Sequence, residues 1–122
     1  MQRGLERAGA AREEILVVED NELSAHRVRA ALSGADRFVT VVGSGREALA
    51  SLADQAPSLI VVSLDLPDMP GTAILDALRE HSRGAPMIAV SGSPNVDLAV
   101  RAGRLGASEV LTRPVNPRQI SQ

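Results

Sequence analysis

The sequence predicts an α/β fold, a doubly wound parallel sheet with helices on both of its faces. Short apolar runs alternate with amphipathic helical patterns five times along the chain. Each run is apolar at successive positions, which is typical of a parallel strand that is buried on both faces. Alternation of this kind favours right-handed crossovers between parallel strands.

Helix-start signals follow the predicted strands, which are 15–18, 38–42, 59–62, 87–90 and 110–111. After the first strand, Asp20 or Asn21 can cap a helix. After the second, Ser44 and Glu47 match the capping box, in which a hydroxyl and a carboxylate satisfy free backbone amides. Each strand is therefore expected to lead into a helix through a short polar junction.

The fourth helix is predicted to have Ser93 as its cap and Pro94 as its first helical residue. Its inward face is predicted to carry Val96, Ala99 and Val100, at helical spacing. The fifth helix is short. We therefore expect the sequence to be a fragment excised from a longer chain.

The chain has 122 residues and a net charge of −2, and its length and composition predict one globular domain. This charge argues against a nucleic-acid partner, because no basic excess is present to neutralise phosphates. The absence of cysteine excludes disulfides and thiolate chemistry. No apolar run is long enough to suggest a membrane span, and we expect a cytoplasmic protein.

Residues 1–14 are polar and are predicted to be a tail or linker, with the domain at 15–122.

A strand order of 2-1-3-4-5, as in flavodoxin-like folds, would bring the carboxyl ends of the first and third strands together. The predicted pocket at that edge contains Glu19, Asp20, Ser63 and Asp65. Ser91 and Arg113 would lie at its rim. Glu19 and Asp20 are paired oxygen donors of the kind that bind Mg²⁺. Alternatively, they are acidic residues that suit the N-terminus of a helix.

Five sequence landmarks occur in a fixed order: Val-Val-Glu-Asp-Asn-Glu at 17–22, Leu-Pro-Asp-Met-Pro-Gly at 66–71, Ala-Val-Ser-Gly at 89–92, Gly-Ala-Ser at 106–108 and Arg-Pro at 113–114. With them, the chain resembles the receiver domain of two-component response regulators, in particular receivers attached to hybrid histidine kinases. The resemblance extends from residue 15 to the end of the chain.

This resemblance implies a role for each matching residue. Glu19 and Asp20 would hold Mg²⁺ together with the backbone carbonyl of Asp65. Ser91 would supply the hydroxyl that follows the phosphoryl group. Arg113 would replace the lysine that pairs with phosphate in the family.

The position of the phosphoacceptor departs from the family. There, the acceptor aspartate lies four residues before the loop Pro67 and eight before the loop Gly71, and both offsets give Ser63. Asp65 is the nearest carboxylate, but two residues along a strand displace it by about 6–7 Å. We therefore expect that Asp65 does not substitute. Ser63 is otherwise a small residue tolerated at a strand end, or an introduced change.

A serine at this position alters the chemistry. It cannot form an acyl phosphate, and its hydroxyl is a weak nucleophile without an adjacent base. His26 and His81 lie in helical patterns away from the strand ends and are expected to be solvent-exposed. Losing the carboxylate also weakens or abolishes Mg²⁺ binding.

Arg113 and Val110 are two further departures. The planar fork of an arginine pairs with carboxylates, so we predict that Arg113 bonds Glu19 or Asp20 directly in place of a metal. Alternatively, Arg113 reflects the absence of lysine throughout the chain, where all 13 basic residues are arginine. Val110 stands where the family often has an aromatic ring that rotates on phosphorylation.

We therefore predict a non-enzymatic pseudo-receiver that acts through protein–protein interaction with a histidine kinase or an output domain. A homodimer would use the face formed by the fourth helix, fifth strand and fifth helix. The alternative is a phosphorylatable receiver that uses Mg²⁺ with Asp65 or Ser63 as acceptor. A small-molecule-binding flavodoxin-like domain ranks last, because the sequence has no Gly-rich phosphate loop after the first strand.

Overall fold

One parallel sheet of five strands forms the centre of the computed structural model, which describes residues 13–34, 36–93 and 95–120. The strands are β1 (Glu13–Val18), β2 (Arg37–Val42), β3 (Leu59–Ser63), β4 (Met87–Ser91) and β5 (Ala107–Thr112). Their order in the sheet is β2-β1-β3-β4-β5, and every pairing is parallel. The predicted fold and strand order are confirmed.

Five helices connect or follow the strands in the described part of the chain: α1 (Glu22–Leu32), α2 (Gly45–Asp54), α3 (Gly71–His81), α4 (Val96–Arg104) and α5 (Pro117–Ile120). Asn21 caps α1 by accepting a hydrogen bond from the backbone amide of Ser24. The four residues of α5 make it a short final helix, as predicted. None of the helices in the described ranges has the length and apolar character that crossing a bilayer requires.

The apolar core lies in two layers, one on each face of the sheet. In β1, Leu16 and Val18 point to the layer covered by α2, α3 and α4, whereas Ile15 and Val17 point to the layer covered by α1 and α5. Successive strand residues alternate between faces, so a strand buried on both sides must be apolar throughout. Phe38 is about half exposed, and the buried core is aliphatic as predicted.

The first strand begins two residues earlier than predicted. Glu13 donates a backbone hydrogen bond to the carbonyl of Asp36 and pairs with Arg37 of β2. Strand pairing depends on backbone groups, so it continues beyond the apolar run into residues that had been assigned to the tail. Residues 1–12 of that predicted tail lie outside the described residues.

The predicted start of the fourth helix is wrong. The helix begins at Val96, and its cap is Asn95, whose side-chain oxygen accepts a hydrogen bond from the backbone amide of Leu98 over 3.0 Å. Asparagine and serine are both good caps, and the one nearer the first helical turn takes the role. Pro94 is outside the described residues.

The predicted inward face of α4 is also wrong at Val96 and Val100. Leu98, Ala102 and Leu105 pack against the core, whereas Val96 is 79% exposed and Val100 is 47% exposed. Residues that are two positions apart on an α-helix lie on nearly opposite sides. Because residues 98 and 102 face the core, residues 96 and 100 face outward. Ala99, the third residue of the predicted face, is partly buried.

Candidate functional site

The candidate site lies at the carboxyl edge of the sheet, where the loops after β1, β3 and β5 converge. Backbone pairing continues past the strands: the Glu19 amide donates to the carbonyl of Val42, and the Arg113 amide donates to the carbonyl of Ser91, each over 2.9 Å. Ser63 is the last residue of β3. The sheet itself therefore fixes the positions of Glu19, Ser63 and Arg113.

The guanidinium of Arg113 lies at the centre of the site. Its Nη2 donates to Glu19 Oε1 over 2.7 Å and to Ser63 Oγ over 2.8 Å. Its Nη1 donates to Asp65 Oδ2 over 2.9 Å, and its Nε donates to Ser24 Oγ over 3.2 Å. A planar guanidinium carries five N–H donors in a fixed geometry, and here four hydrogen bonds join it to side chains from two segments, 19–24 and 63–65.

Glu19 is a buried carboxylate, with 3% of its side chain exposed. Besides the ion pair with Arg113, it accepts hydrogen bonds from Ser24 Oγ over 3.0 Å and from the Asn21 amide over 3.2 Å. Buried charges persist when they are paired and hydrogen-bonded. The predicted bond between Arg113 and Glu19 is therefore present, whereas none is seen from Arg113 to Asp20 within the described ranges.

The pairing also acts on Arg113. Burial disfavours the cation and lowers its pKa, but the hydrogen bonds to Glu19 and Asp65 outweigh burial, so the pKa of Arg113 is raised above its ordinary value. The Arg113 side chain is 21% exposed. The cation at this edge of the sheet is consequently a permanent part of the site.

Ser63 is 1% exposed, and its hydroxyl oxygen accepts two hydrogen bonds. One comes from Arg113 Nη2 and the other from the Asp65 amide over 3.1 Å. A hydroxyl oxygen has two acceptor lone pairs, so both are engaged. His26 and His81 are exposed on α1 and α3, as predicted, and neither is placed to act as a base for Ser63.

Asp65 lies in the cluster, as the predicted pocket placed it, but the sequence did not predict the bond between its side chain and Arg113. Its Oδ2 accepts from Arg113 Nη1 and from the backbone amide of Gly92, the latter over 2.7 Å. The side chain is 50% exposed. Asp65 therefore binds the opposite branch of the guanidinium from Ser63 and does not take the position of Ser63.

Two predicted site residues stand apart from the cluster. Asp20 is exposed and forms no hydrogen bond or ion pair to another described residue. Ser91 is buried, but its hydroxyl donates to the carbonyl of Ser93 over 3.0 Å and accepts from the Ser93 amide over 3.3 Å. The structure thus joins Glu19, Ser63, Asp65 and Arg113 and leaves the other two outside.

Ser24 belongs to the cluster and was missed in the sequence. It is buried with Val28 and Leu32 on the inward face of α1. These positions are spaced by four residues, which places them on one side of the helix. A serine that continues an apolar face toward the strand ends is a signal that could have identified it.

The donor set does not fit a divalent cation. Across residues 13–34, 36–93 and 95–120, no group of three or more acidic, histidine or cysteine side chains is arranged to hold a metal. Mg²⁺ needs free oxygen ligands in near-octahedral geometry. The Glu19 carboxylate is already bonded to a cation, and residue 63 contributes a hydroxyl that is itself bonded to that cation.

The loop after β3 is anchored to the neighbouring helix α2. Both carboxylate oxygens of Asp68 accept backbone hydrogen bonds, from the amides of Gly45 and Arg46 over 3.0 Å each. These bonds lower the pKa of Asp68 below its ordinary value of 3.8. On the other side, a Cβ at Gly71 would lie 2.9 Å from the Leu64 carbonyl oxygen. Asp68 therefore ties the loop that carries Asp65 to the start of α2, and the close approach of residues 64 and 71 leaves no room for a side chain at Gly71.

The chain is similar to a known protein family over most of its length. A model of the family described as the response regulator receiver domain matches residues 15–122. The regulatory protein LuxO of Vibrio cholerae is 37% identical over 98 residues, which cover 80% of this chain and 22% of that protein. This chain thus spans about a fifth of the curated relative.

Solved structures match over most of the chain. The response regulator receiver domain protein from Methanospirillum hungatei has a TM-score of 0.81 at 27% identity, covering 89% of this chain and 87% of that one. A response regulator from Burkholderia pseudomallei, solved with a phosphorylated aspartic acid, a calcium ion and citrate, has a TM-score of 0.81 at 26% identity. The match covers 88% of this chain and 64% of that one.

Proposed function

This chain belongs to the response regulator receiver domain family, and we propose that it is a pseudo-receiver that does not accept a phosphoryl group. Receiver domains are signalling modules that interact with histidine kinases and output domains, and they bind Mg²⁺ at their phosphorylation site. In this chain, a histidine kinase or an output domain would be the partner. A cytoplasmic location, usual for receiver domains, is part of the proposal.

The contact between Arg113 and Ser63 carries the proposal. An acyl phosphate requires a carboxylate, and residue 63 supplies only a hydroxyl. Both lone pairs of that hydroxyl accept hydrogen bonds, from Arg113 Nη2 and the Asp65 amide. Attack on phosphorus needs a free lone pair and a base to remove the proton. Ser63 is therefore a poor acceptor as well as an inexact replacement for aspartate.

Mg²⁺ binding is proposed to be weakened or lost. The Arg113 guanidinium lies 2.7 Å from Glu19 and neutralises the carboxylate that a metal would use. If Mg²⁺ displaced the guanidinium from Glu19, the Arg113 cation would lose its buried partner, which is unfavourable. Asp20 and the backbone carbonyl of Asp65 would then be the remaining ligands of the predicted set. We propose that these two do not hold the metal alone.

The proposed interaction surface is the face formed by α4, β5 and α5. Val96 and Val100 are one turn apart on α4; Val96 is largely exposed and Val100 is about half exposed. Their apolar side chains would be buried by a partner protein or by a second copy of this chain. We propose a homodimer through this face, in which contact between the two copies of α4 replaces phosphorylation as the means of assembly.

A second candidate function is favoured by one observation. The Asp65 carboxylate is half exposed and reaches the same guanidinium as Ser63, so a phosphoryl donor could approach it. In this alternative, Asp65 or Ser63 accepts the phosphoryl group with the help of Mg²⁺. Against it, the Asp65 Oδ2 atom is already bonded to two donors, and Asp65 lies two residues beyond the family's acceptor position.

Beryllofluoride with Mg²⁺ distinguishes these candidates, because it adds to an acceptor carboxylate in the way a phosphoryl group does. We expect the amide NMR signals of residues 63–65 and 91–93 to remain unchanged in the wild type. Saturable shifts of these signals that disappear in Asp65→Asn would support the second candidate and contradict the first. The Asp76→Asn variant serves as a control, because Asp76 is an exposed carboxylate on α3.

A further inference from the structure

Two hydrogen-bond donors from different loops converge on one oxygen of Asp65. The Gly92 amide lies 2.7 Å from Asp65 Oδ2, and Arg113 Nη1 lies 2.9 Å from the same atom. Gly92 follows β4 and Arg113 follows β5, whereas Asp65 follows β3. One carboxylate oxygen therefore connects three loops at the carboxyl edge of the sheet.

These two donors have the chemistry of an anion site. A backbone N–H and a guanidinium N–H form short, charge-assisted hydrogen bonds to oxyanions. The other branch of Arg113 is bonded to Glu19 and Ser63, which fixes the direction in which Nη1 points. The direction of Arg113 Nη1 is thus set by contacts that do not involve the Asp65 side chain.

The absence of a side chain at residue 92 permits the close approach of Asp65 Oδ2 to the Gly92 amide. A Cβ at Gly92 would lie 3.2 Å from Asp65 Oδ2 and 3.5 Å from Arg113 Nη1. The first distance is shorter than ordinary van der Waals contact, so the carboxylate would have to move. Glycine therefore leaves room for an oxyanion between residues 92 and 113.

We propose that Asp65 is a built-in anion for this donor pair, and that it holds the three loops together without a covalently added or free anion. The proposal deepens the proposed function, on which it rests: a receiver-like domain with no acceptor at residue 63 obtains the negative charge from its own chain. A tethered carboxylate has a high effective concentration at the site. Asp65 therefore excludes inorganic anions from these donors.

Sulfate titration of the Asp65→Ala variant tests this inference. In the wild type, we expect the Gly92 amide signal not to respond to sulfate. In Asp65→Ala, the same signal should shift saturably, with an affinity for sulfate at least about tenfold higher than in the wild type. The Asp76→Ala variant removes an exposed carboxylate that is paired with Arg79 and should behave as the wild type does.

Hydrogen exchange gives a second readout on the same variants. Without sulfate, the Gly92 amide in Asp65→Ala should exchange at least about tenfold faster than in the wild type, because its acceptor has been removed. An equal sulfate response in the wild type and in Asp65→Ala would overturn the inference, as would an unchanged exchange rate. Neither readout uses a phosphoryl donor, so a failure here is distinguishable from a failure of the proposed function.

Discussion

Arg113 Nη2 donates a hydrogen bond to Ser63 Oγ over 2.8 Å. The same nitrogen pairs with the buried Glu19 carboxylate, so the guanidinium occupies the space between the ends of β1 and β3. The positive charge at this edge of the sheet therefore comes from the chain itself. The absence of a carboxylate at residue 63 and the presence of an arginine at residue 113 are parts of one arrangement.

Removing the Arg113 side chain should destabilise the domain strongly. In Arg113→Ala, the 3%-exposed Glu19 carboxylate would lose its cationic partner, and an uncompensated buried charge typically costs about 3–5 kcal/mol. We expect the lower end of that range, because Ser24 and the Asn21 amide still bond Glu19. Urea unfolding measures the difference in the free energy of unfolding.

Arg79→Ala is the matched control for that experiment. The pair between Arg79 and Asp76 is exposed on both sides, and such pairs contribute less than about 1 kcal/mol. A loss in Arg113→Ala no greater than in Arg79→Ala would contradict the structural role of Arg113.

Mg²⁺ should have little effect on the wild type. Millimolar Mg²⁺ is expected to leave the amide NMR signals of Glu19 and Asp20 in place, because the guanidinium already neutralises Glu19. The Glu19→Gln variant, which removes that carboxylate, should behave in the same way. Progressive, saturable shifts in the wild type that are absent from Glu19→Gln would show that the metal displaces Arg113.

The Asp68 carboxylate should titrate below its ordinary pKa of 3.8, because the amides of Gly45 and Arg46 bond its charged form. Since the pKa is lower in the folded state, the stabilisation is complete above the unfolded-state value. It is lost as the pH falls through the folded-state pKa. Carboxyl NMR signals, followed with the Gly45 and Arg46 amides, measure this directly. Titration of Asp68 at 3.8 or above would contradict the anchoring role.

The exposed and buried sides of α4 should respond differently to a charge. Val100→Asp is expected to change the free energy of unfolding by less than about 0.5 kcal/mol but to abolish self-association in sedimentation velocity. Ala102→Asp places an unpaired charge in the core and should lower that free energy by about 3 kcal/mol or more. Self-association that persists unchanged in Val100→Asp would place the interface elsewhere.

The fold could be predicted because it depends on features that are local in sequence. Short apolar runs such as 59–62 are typical of inner strands, and their alternation with helical patterns indicates the topology. The same topology correctly brought Glu19, Ser63, Asp65 and Arg113 to one edge of the sheet. The direction of each side chain at that edge could not be predicted in the same way.

The contacts that the sequence did not predict depend on which of several equally polar groups lie close together in the folded chain. Asp65 bonds the Gly92 amide, and Asp68 bonds the start of α2. Sequence spacing gives no signal for either, because both partners are backbone amides of distant segments. On α4, several apolar residues could each have faced the core, and the packing of Leu98 and Ala102 decided the outcome.

We propose that this receiver domain has no working phosphoacceptor. Incubation with acetyl phosphate and Mg²⁺, followed by intact-protein mass spectrometry at neutral pH, detects phosphoryl transfer itself, with Asp65→Asn and Ser63→Ala examined in parallel. We predict that the wild-type mass stays unchanged. A stable increase by one phosphoryl group, abolished in either variant, would contradict the claim and identify the acceptor.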